Sequence, residues 1–261
     1  MIPSLPFATI NEFMAFAVVF GRMVGIFSAI PSFGGRAVPM RIKVIAVLAI
    51  TLLLFPLVRT KVPSLNGDTI GLMLLMAREV LIGLTVGLLA QIIFSGIEFC
   101  GQLVATQMGL SIAVQFDPTM EGQFTAMAVL QNLLAMLLFL SLGVHHFFFS
   151  ALVDSYQALP VGSWHVTENL VHFLVGLVGQ VFVIGIKLAA PVMVSLLATT
   201  VVLGVMARAF PQMNVFIVSM PLNIGIGFLV LGFTVFAFMK TLQGAFGQIP
   251  NQLKALFKLL S

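Results

Sequence analysis

The hydrophobic pattern divides this 261-residue chain into six long apolar segments, approximately Phe13–Ile30, Val44–Val58, Ile70–Phe116, Phe124–Val153, Leu170–Met206 and Val215–Met239. A helix that crosses a bilayer needs about 20 apolar residues, so the pattern predicts an all-α integral membrane protein. The lengths fit that rule badly. Val44–Val58 is short for a span, and basic residues flank it on both sides: Arg36, Arg41 and Lys43 before it, Arg59 and Lys61 after it. Equal bias at both ends gives no orientation and suggests a re-entrant hairpin. Ile70–Phe116 is more than twice the required length, with no polar loop to divide it. It holds either two helices with a tight break near Ser95–Gly101 or one helix that outruns the bilayer.

The same segment ends abruptly in polar sequence. Between Gly101 and Gly122 the chain reads G-Q-L-V-A-T-Q-M-G-L-S-I-A-V-Q-F-D-P-T-M-E-G, placing amides, a carboxylate and a proline directly after hydrophobic residues. Non-helical backbone at bilayer depth must be buried in protein or line a water-filled cavity, because lipid satisfies none of its N–H and C=O groups. A pore constriction or gate is one reading, and an ordinary interfacial loop is the other. Met108, Leu110, Ile112 and Phe116 flank the break and are the residues suited to a deformable seal.

Composition strengthens the membrane assignment. Hydrophobic residues make up 60% of the chain and charged ones only 8%, against about 25% in soluble domains, and the mean hydropathy is +1.17. Twelve Lys and Arg are spread singly and form no basic stripe, so nucleic acid is not an expected partner. Cys100 stands alone and reads as a small packing residue. The amino terminus lacks a basic region before its apolar part and is expected to remain as the first segment. Interfacial belts use Trp and Tyr, but the chain has one of each, Trp164 and Tyr156. Much of the apolar surface is therefore expected to meet protein rather than lipid. Gly21–Gly25 and Gly83–Gly87 carry GxxxG spacing for close helix packing, Pro191 and Pro221 are expected to kink or break the last two segments, and Gln248–Ser261 reads as an amphipathic helix suited to an interface or a partner.

Charges inside apolar segments are expensive and mark candidate sites. Arg22, Arg78, Glu79, Glu98 and Lys187 qualify, and interhelical or inter-subunit ion pairs are the favoured reading because no ladder of acids recurs at helical spacing. Arg78 and Glu79 are adjacent, point to different helix faces, and are expected to pair with other helices. His145, His146, His165 and His172 lack acids or cysteine at ligand spacing, so no metal or other cofactor is expected. No phosphate loop or nucleophile elbow is present, and an enzyme is not expected.

Four stretches carry a resemblance: P-S-F-G-G-R-A-V-P-M-R-I-K at Pro31–Lys43, Q-M-G-L-S-I-A-V-Q-F-D-P at Gln107–Pro118, N-L-L-A-M-L-L-F-L-S-L-G-V-H-H at Asn132–His146, and L-V-D-S-Y-Q-A-L-P-V-G at Leu152–Gly162. Together, and in this order over nearly the whole chain, they resemble the FliR family of flagellar export-gate proteins, whose counterparts serve type III secretion injectisomes. The resemblance implies kinked helical hairpins within a helical export-gate assembly, built with FliP-type and FliQ-type subunits and joined by FlhB-type and FlhA-type subunits. It also implies a bacterial inner-membrane location in the flagellar basal body, with unfolded flagellar proteins as cargo. Residues 1–165 would be the part similar to a FliP-type subunit and residues 166–261 the part similar to a FliQ-type subunit. The family places a pore plug at the stretch matching 107–122, so Met108, Gly109, Leu110, Ser111, Phe116, Asp117 and Pro118 would form or support it. Gly109 and Gly122 would serve as hinges, and Asp117-Pro118 would fix the turn. The alternatives are a stand-alone secondary transporter or channel with Arg78, Glu79 and Lys187 at its site, a structural scaffold, and an injectisome homologue.

Overall fold

The computed structural model describes residues 9–30, 39–59, 62, 69–111, 126–162, 167–212 and 214–260. Within them the chain forms α1 (Ile10–Ala29), α2 (Met40–Val58), α3 (Thr69–Gln107), α4 (Ala126–Ser141), α5 (Val144–Ala158), α6 (Glu168–Ala209), α7 (Val215–Gly247) and α8 (Ile249–Leu260). It is an all-α integral membrane protein: among the described residues five helices are long and apolar enough to cross a membrane, or six when the broken α4–α5 pair counts as one span.

Several boundaries differ from those the sequence suggests. The second segment is one helix of 19 residues rather than a re-entrant hairpin. Its start lies at Met40, so Arg41 and Lys43 belong to its first turn, and about 28 Å of helix results. The third settles between its two readings as a single helix of 39 residues, about 58 Å long, that outruns the bilayer, with no break near Ser95–Gly101. The small residues there are packing sites instead. A Cβ on Gly96 would lie 3.1 Å from Ile184 Cβ and from the Val181 carbonyl, and one on Gly101 would lie 2.7 Å from Ala128 Cβ. The fourth segment, by contrast, is divided. Gly143 separates α4 from α5 with φ +65, a conformation open to glycine without steric cost. Helix runs through both Pro191 and Pro221, and α7 continues past Met239 to Gly247.

The helices sort into two compact units that do not follow chain order. The first contains Met1–Gln91, Gly143–Leu177 and Gly247–Ser261, and the second contains Ile92–Leu142 and Val178–Phe246. In the first unit, α1 opens with an N-cap: the Thr9 hydroxyl accepts from the Glu12 N–H at 3.3 Å, satisfying one of the orphan donors of the first turn. Glu12 also pairs with Arg59 just beyond α2. The GxxxG pairs bring α1 and α3 together. A Cβ on Gly83 would lie 2.9 Å from Gly25 Cα and from Ile26 N, and one on Gly87 would lie 2.6 Å from Ala29 Cβ. Only glycine permits that approach. The amphipathic α8 buries Ile249, Leu253, Leu256 and Leu260 and packs on α5, so its apolar stripe is covered within the chain, with Lys254 and Lys258 left exposed.

In the second unit the core is aromatic. Phe94, Phe139 and Phe246 form a triangle with ring centroids 5.6–5.8 Å apart, and Phe99 meets Phe182 edge-on at 5.4 Å. Such tilted and edge-to-face pairs add about 0.5–1.5 kcal/mol each beyond area burial. The outer faces of α6 and α7 are apolar and open: Phe233 and Phe236 are 82% and 76% exposed.

Candidate functional site

The polar stretch after α3 begins with a built helix stop. The Met108 N–H still bonds to the Val104 carbonyl at 2.9 Å, but the Gly109 N–H turns to Thr106 O at 3.1 Å and the Leu110 N–H to Ala105 O at 2.9 Å. Gly109 has φ +79. This is a Schellman motif with Met108 at the cap and Gly109 in the left-handed position that follows it. The sequence Q-M-G therefore specifies termination, since the 5→2 and 6→1 bonds satisfy carbonyls that the helix leaves orphaned. Met108 is fully buried and wedged against α7, where a Cβ on Gly227 would lie 2.8 Å from its Cγ, Sδ and Cε atoms. Gly109, Leu110 and Ser111 are half-buried. Ile112, Phe116, Asp117, Pro118 and Gly122 lie outside the described residues.

The intramembrane charges divide into one closed pair and three open groups. Arg22 Nε donates to Glu79 Oε2 at 2.5 Å, and both side chains are 0% exposed. The other two guanidinium nitrogens are engaged as well. Nη1 donates to Ser155 Oγ at 3.1 Å, both Nη atoms approach the Leu159 carbonyl at 3.3–3.4 Å, and the cation stands 4.0 Å above the Tyr156 ring. The Gly162 N–H donates to the other Glu79 oxygen at 3.3 Å, and the Tyr156 hydroxyl reaches the Val19 carbonyl at 3.4 Å. Burying two ions costs several kcal/mol each, repaid only with good geometry and satisfied lone pairs. The arrangement meets both conditions by drawing α1, α3, α5 and the turn after α5 onto one point.

The turn supplies its groups for a local reason. Leu159 is the extended C-cap of α5, which leaves its carbonyl free of the helix ladder. Gly162 has φ +85, which aims its N–H at Glu79 without a side chain in the way. Sequence reasoning marked Arg22 and Glu79 but missed Ser155, Tyr156, Leu159 and Gly162. The available signal was the L-V-D-S-Y-Q-A-L-P-V-G stretch, and the single tyrosine proves to be a core residue rather than an interfacial anchor.

Arg78 is exposed, Glu98 half-buried and Lys187 exposed, and none of the three has an ion-pair partner among the described residues. The rings of His145 and His146 stand 4.1 Å apart. His172 approaches Glu168 at 3.7 Å on the exposed first turns of α6. His165 lies outside the described residues. Among the described residues no group of three His, Cys, Asp or Glu side chains is arranged to hold a metal ion.

Comparison with known proteins places the chain in a family. The profile of the family described as bacterial export proteins, family 1, matches residues 13–249. The chain is 34% identical over 226 residues to the flagellar biosynthetic protein FliR of Pectobacterium carotovorum subsp. carotovorum, covering 85% of each chain. It is 33% identical to the protein of that name from Bacillus subtilis, covering 85% of this chain and 86% of the relative. It is 31% identical to that of Caulobacter vibrioides, covering 88% and 91%. The chain belongs to the bacterial export proteins, family 1.

Proposed function

We propose that this member of the export family is a subunit of the flagellar type III protein export gate, forming part of a plugged conduit for unfolded flagellar proteins across the bacterial inner membrane at the flagellar basal body. The observation that carries the reading is the helix stop at Met108–Gly109. A 39-residue apolar helix ends there by a dedicated motif, immediately before the polar stretch that corresponds to the plug. A closed conduit must be dry and apolar at its narrowest point to exclude ions, and it can gate by dewetting. Passage of a polypeptide requires the obstruction to move. Gly109 and Gly122 are the proposed hinges, Met108, Leu110, Ser111 and Phe116 the plug residues, and Asp117-Pro118 the turn.

The proposed assembly joins this chain to FliP-type and FliQ-type subunits, with FlhB-type and FlhA-type subunits beside them. Residues 1–165 take the FliP-like part and residues 166–261 the FliQ-like part. Energy comes from those partners and the proton motive force. Arg78, Glu98 and Lys187 are the proposed inter-subunit charges, while Arg22 and Glu79 hold the chain together internally. The exposed apolar faces of α6 and α7 favour an assembled subunit over a stand-alone transporter, because they exceed what a bilayer needs to meet.

Deletion of 109–120 tests the plug. The gate should still assemble, and the cells should become leaky to small ions; an intact permeability barrier would sink the plug role. Native mass spectrometry of the tagged chain from its own membranes tests the assembly. One copy with several copies each of two small hydrophobic partners is expected, and recovery as a monomer or homodimer would favour the transporter.

A further inference from the structure

The second unit contains a cavity of about 260 Å³ between α4, α6 and α7. For scale, an apolar cavity of about 150 Å³ accepts a benzene molecule. Its walls are mostly apolar, with Leu130 and Leu134 from α4, Leu188 from α6 and Phe228 from α7. The polar side chains among them are Gln131, Lys187, Thr234 and Thr241, and both threonine hydroxyls are spent on helix carbonyls, Val230 O and Ala237 O. Gln131 is only 3% exposed, and neither its Oε1 nor its Nε2 makes a hydrogen bond beyond a contact with the weakly bonding Cys100 thiol. Lys187 stands near the middle of an apolar helix and has no carboxylate partner among the described residues. Pro191, one turn on, has no N–H, so the Lys187 carbonyl loses its usual helical donor.

We propose that this cavity receives a carboxylate side chain carried on an apolar helix of a partner subunit, with Lys187 as counter-ion and the Gln131 carboxamide as second donor. One ammonium and one amide N–H on an apolar wall match a single-charged carboxylate on an aliphatic stem. A phospholipid headgroup carries its phosphate in the surface layer outside the hydrocarbon core, whereas Lys187 lies near the middle of the 42-residue α6. Leaving Gln131 unsatisfied would cost about 1–3 kcal/mol, and an occupant that accepts from Nε2 removes that cost.

Helix length decides for protein over lipid. α6 has 42 residues, about 63 Å of helix, and its exposed apolar side chains extend from Val171 to Met206, about 53 Å. The hydrocarbon core is about 30 Å thick, and a tilt of about 40° stretches the length it covers only to about 39 Å. Part of this face therefore needs a protein cover. A cation enclosed by that cover without a carboxylate would be strongly unfavourable, so the covering helix must bring one. The inference rests on the export-gate reading in so far as it requires a membrane partner.

The test places a benzophenone amino acid at Leu134, inside the cavity, and separately at Val201, which is exposed on α6 outside it. Both are made in the full chain in its own cells, and the adducts are identified by mass spectrometry. The expected Leu134 adduct is a peptide from an apolar helix with Asp or Glu within one turn of the crosslink. Lys187→Met and Lys187→Glu should lower its yield at least about tenfold, while Lys187→Arg keeps it and Lys187→Glu combined with reversal of the identified acid to Lys restores it. Unchanged Val201 yield in these variants shows that they fold. A lipid adduct, an acid-free peptide or no adduct at Leu134 overturns the receptor while protein capture at Val201 leaves the assembly reading standing. Absence of protein at both positions overturns both.

Discussion

Glycine does opposite things at the α1–α3 seam of the first unit and on the open faces of α6 and α7. In the first, Gly25 and Gly83 meet backbone to backbone, and an added Cβ on either would overlap the facing helix. In the second, the sites of Gly204, Gly225 and Gly232 on α6 and α7 have nothing within 4 Å of an added Cβ. Charge divides the same way: Arg22 and Glu79 are buried and mutually satisfied, whereas Lys187 stands exposed beside an unsatisfied carboxamide. The α1–α3 seam has used its glycines and its buried ion pair to complete its own packing. The open faces of α6 and α7 carry the same resources unspent, which is the condition of a surface awaiting another chain.

The largest expected effect is at the closed ion pair. Arg22→Ala leaves the Glu79 carboxylate buried without its cation, and loss of one partner of a buried pair costs about 3–5 kcal/mol. The thermal midpoint of the purified chain in detergent should fall steeply. Arg22→Met with Glu79→Leu should recover much of the loss, because no unpaired charge remains. Lys187→Met should leave the midpoint of the isolated chain nearly unchanged. An equal fall for Arg22→Ala and Lys187→Met would abolish the contrast between the units.

The sequence exposed parts of this contrast and hid others for identifiable reasons. Both GxxxG pairs were visible, because their spacing is local. That Arg22 would find Glu79, 57 residues away, was not visible, nor was the part played by Ser155 and by the Leu159 and Gly162 backbone, because tertiary packing alone brings them together. Gly96 and Gly101 offered a helix break as one of two readings, and the other, one long helix, holds; they are contact sites, since helix propensity yields to packing when a neighbour fills the space. The true stop at Gly109 was marked as a polar change but not as a Schellman motif, and Gly143 was missed because its flanks are as apolar as the helices they separate. Of the proposed plug, Met108 to Ser111 can be placed, and Met108 packs against a residue more than a hundred positions later, which no local pattern signals.

Intermediate effects are expected where the plug stem meets α7. Gly227→Ala would push a methyl into three atoms of Met108, and overpacking of this kind costs about 1–3 kcal/mol. Met108→Ala in the same chain should relieve it, giving a coupling of about 0.5–3 kcal/mol in a double-mutant cycle on the unfolding transition. Additive losses would mean that Met108 does not bear on Gly227. Gly109→Ala comes next, since an L-residue in the left-handed conformation costs about 1–2 kcal/mol. Hydrogen exchange should show faster opening at Met108 and Leu110 in this variant; unchanged protection there would show that the stop does not depend on the left-handed glycine.

The smallest effect carries the most information about the comparison, because its sign should change with the state of assembly. Gly225 lies on α7 with open space beyond it, so Gly225→Ala in the isolated chain gains helix propensity of up to about 1 kcal/mol and loses no contact. The thermal midpoint should rise slightly. If α7 is covered by a partner helix at close approach, the same methyl occupies the space that helix needs, and recovery of the complex from membranes should fall. A glycine left open by a finished fold would instead give a more stable chain and an undiminished complex. Gly83→Ala supplies the internal reference: its methyl meets backbone atoms of α1 within the chain, so it should destabilise the isolated chain and the complex alike. The two substitutions add the same atom to the same kind of residue, and only the presence or absence of a built-in neighbour separates their outcomes.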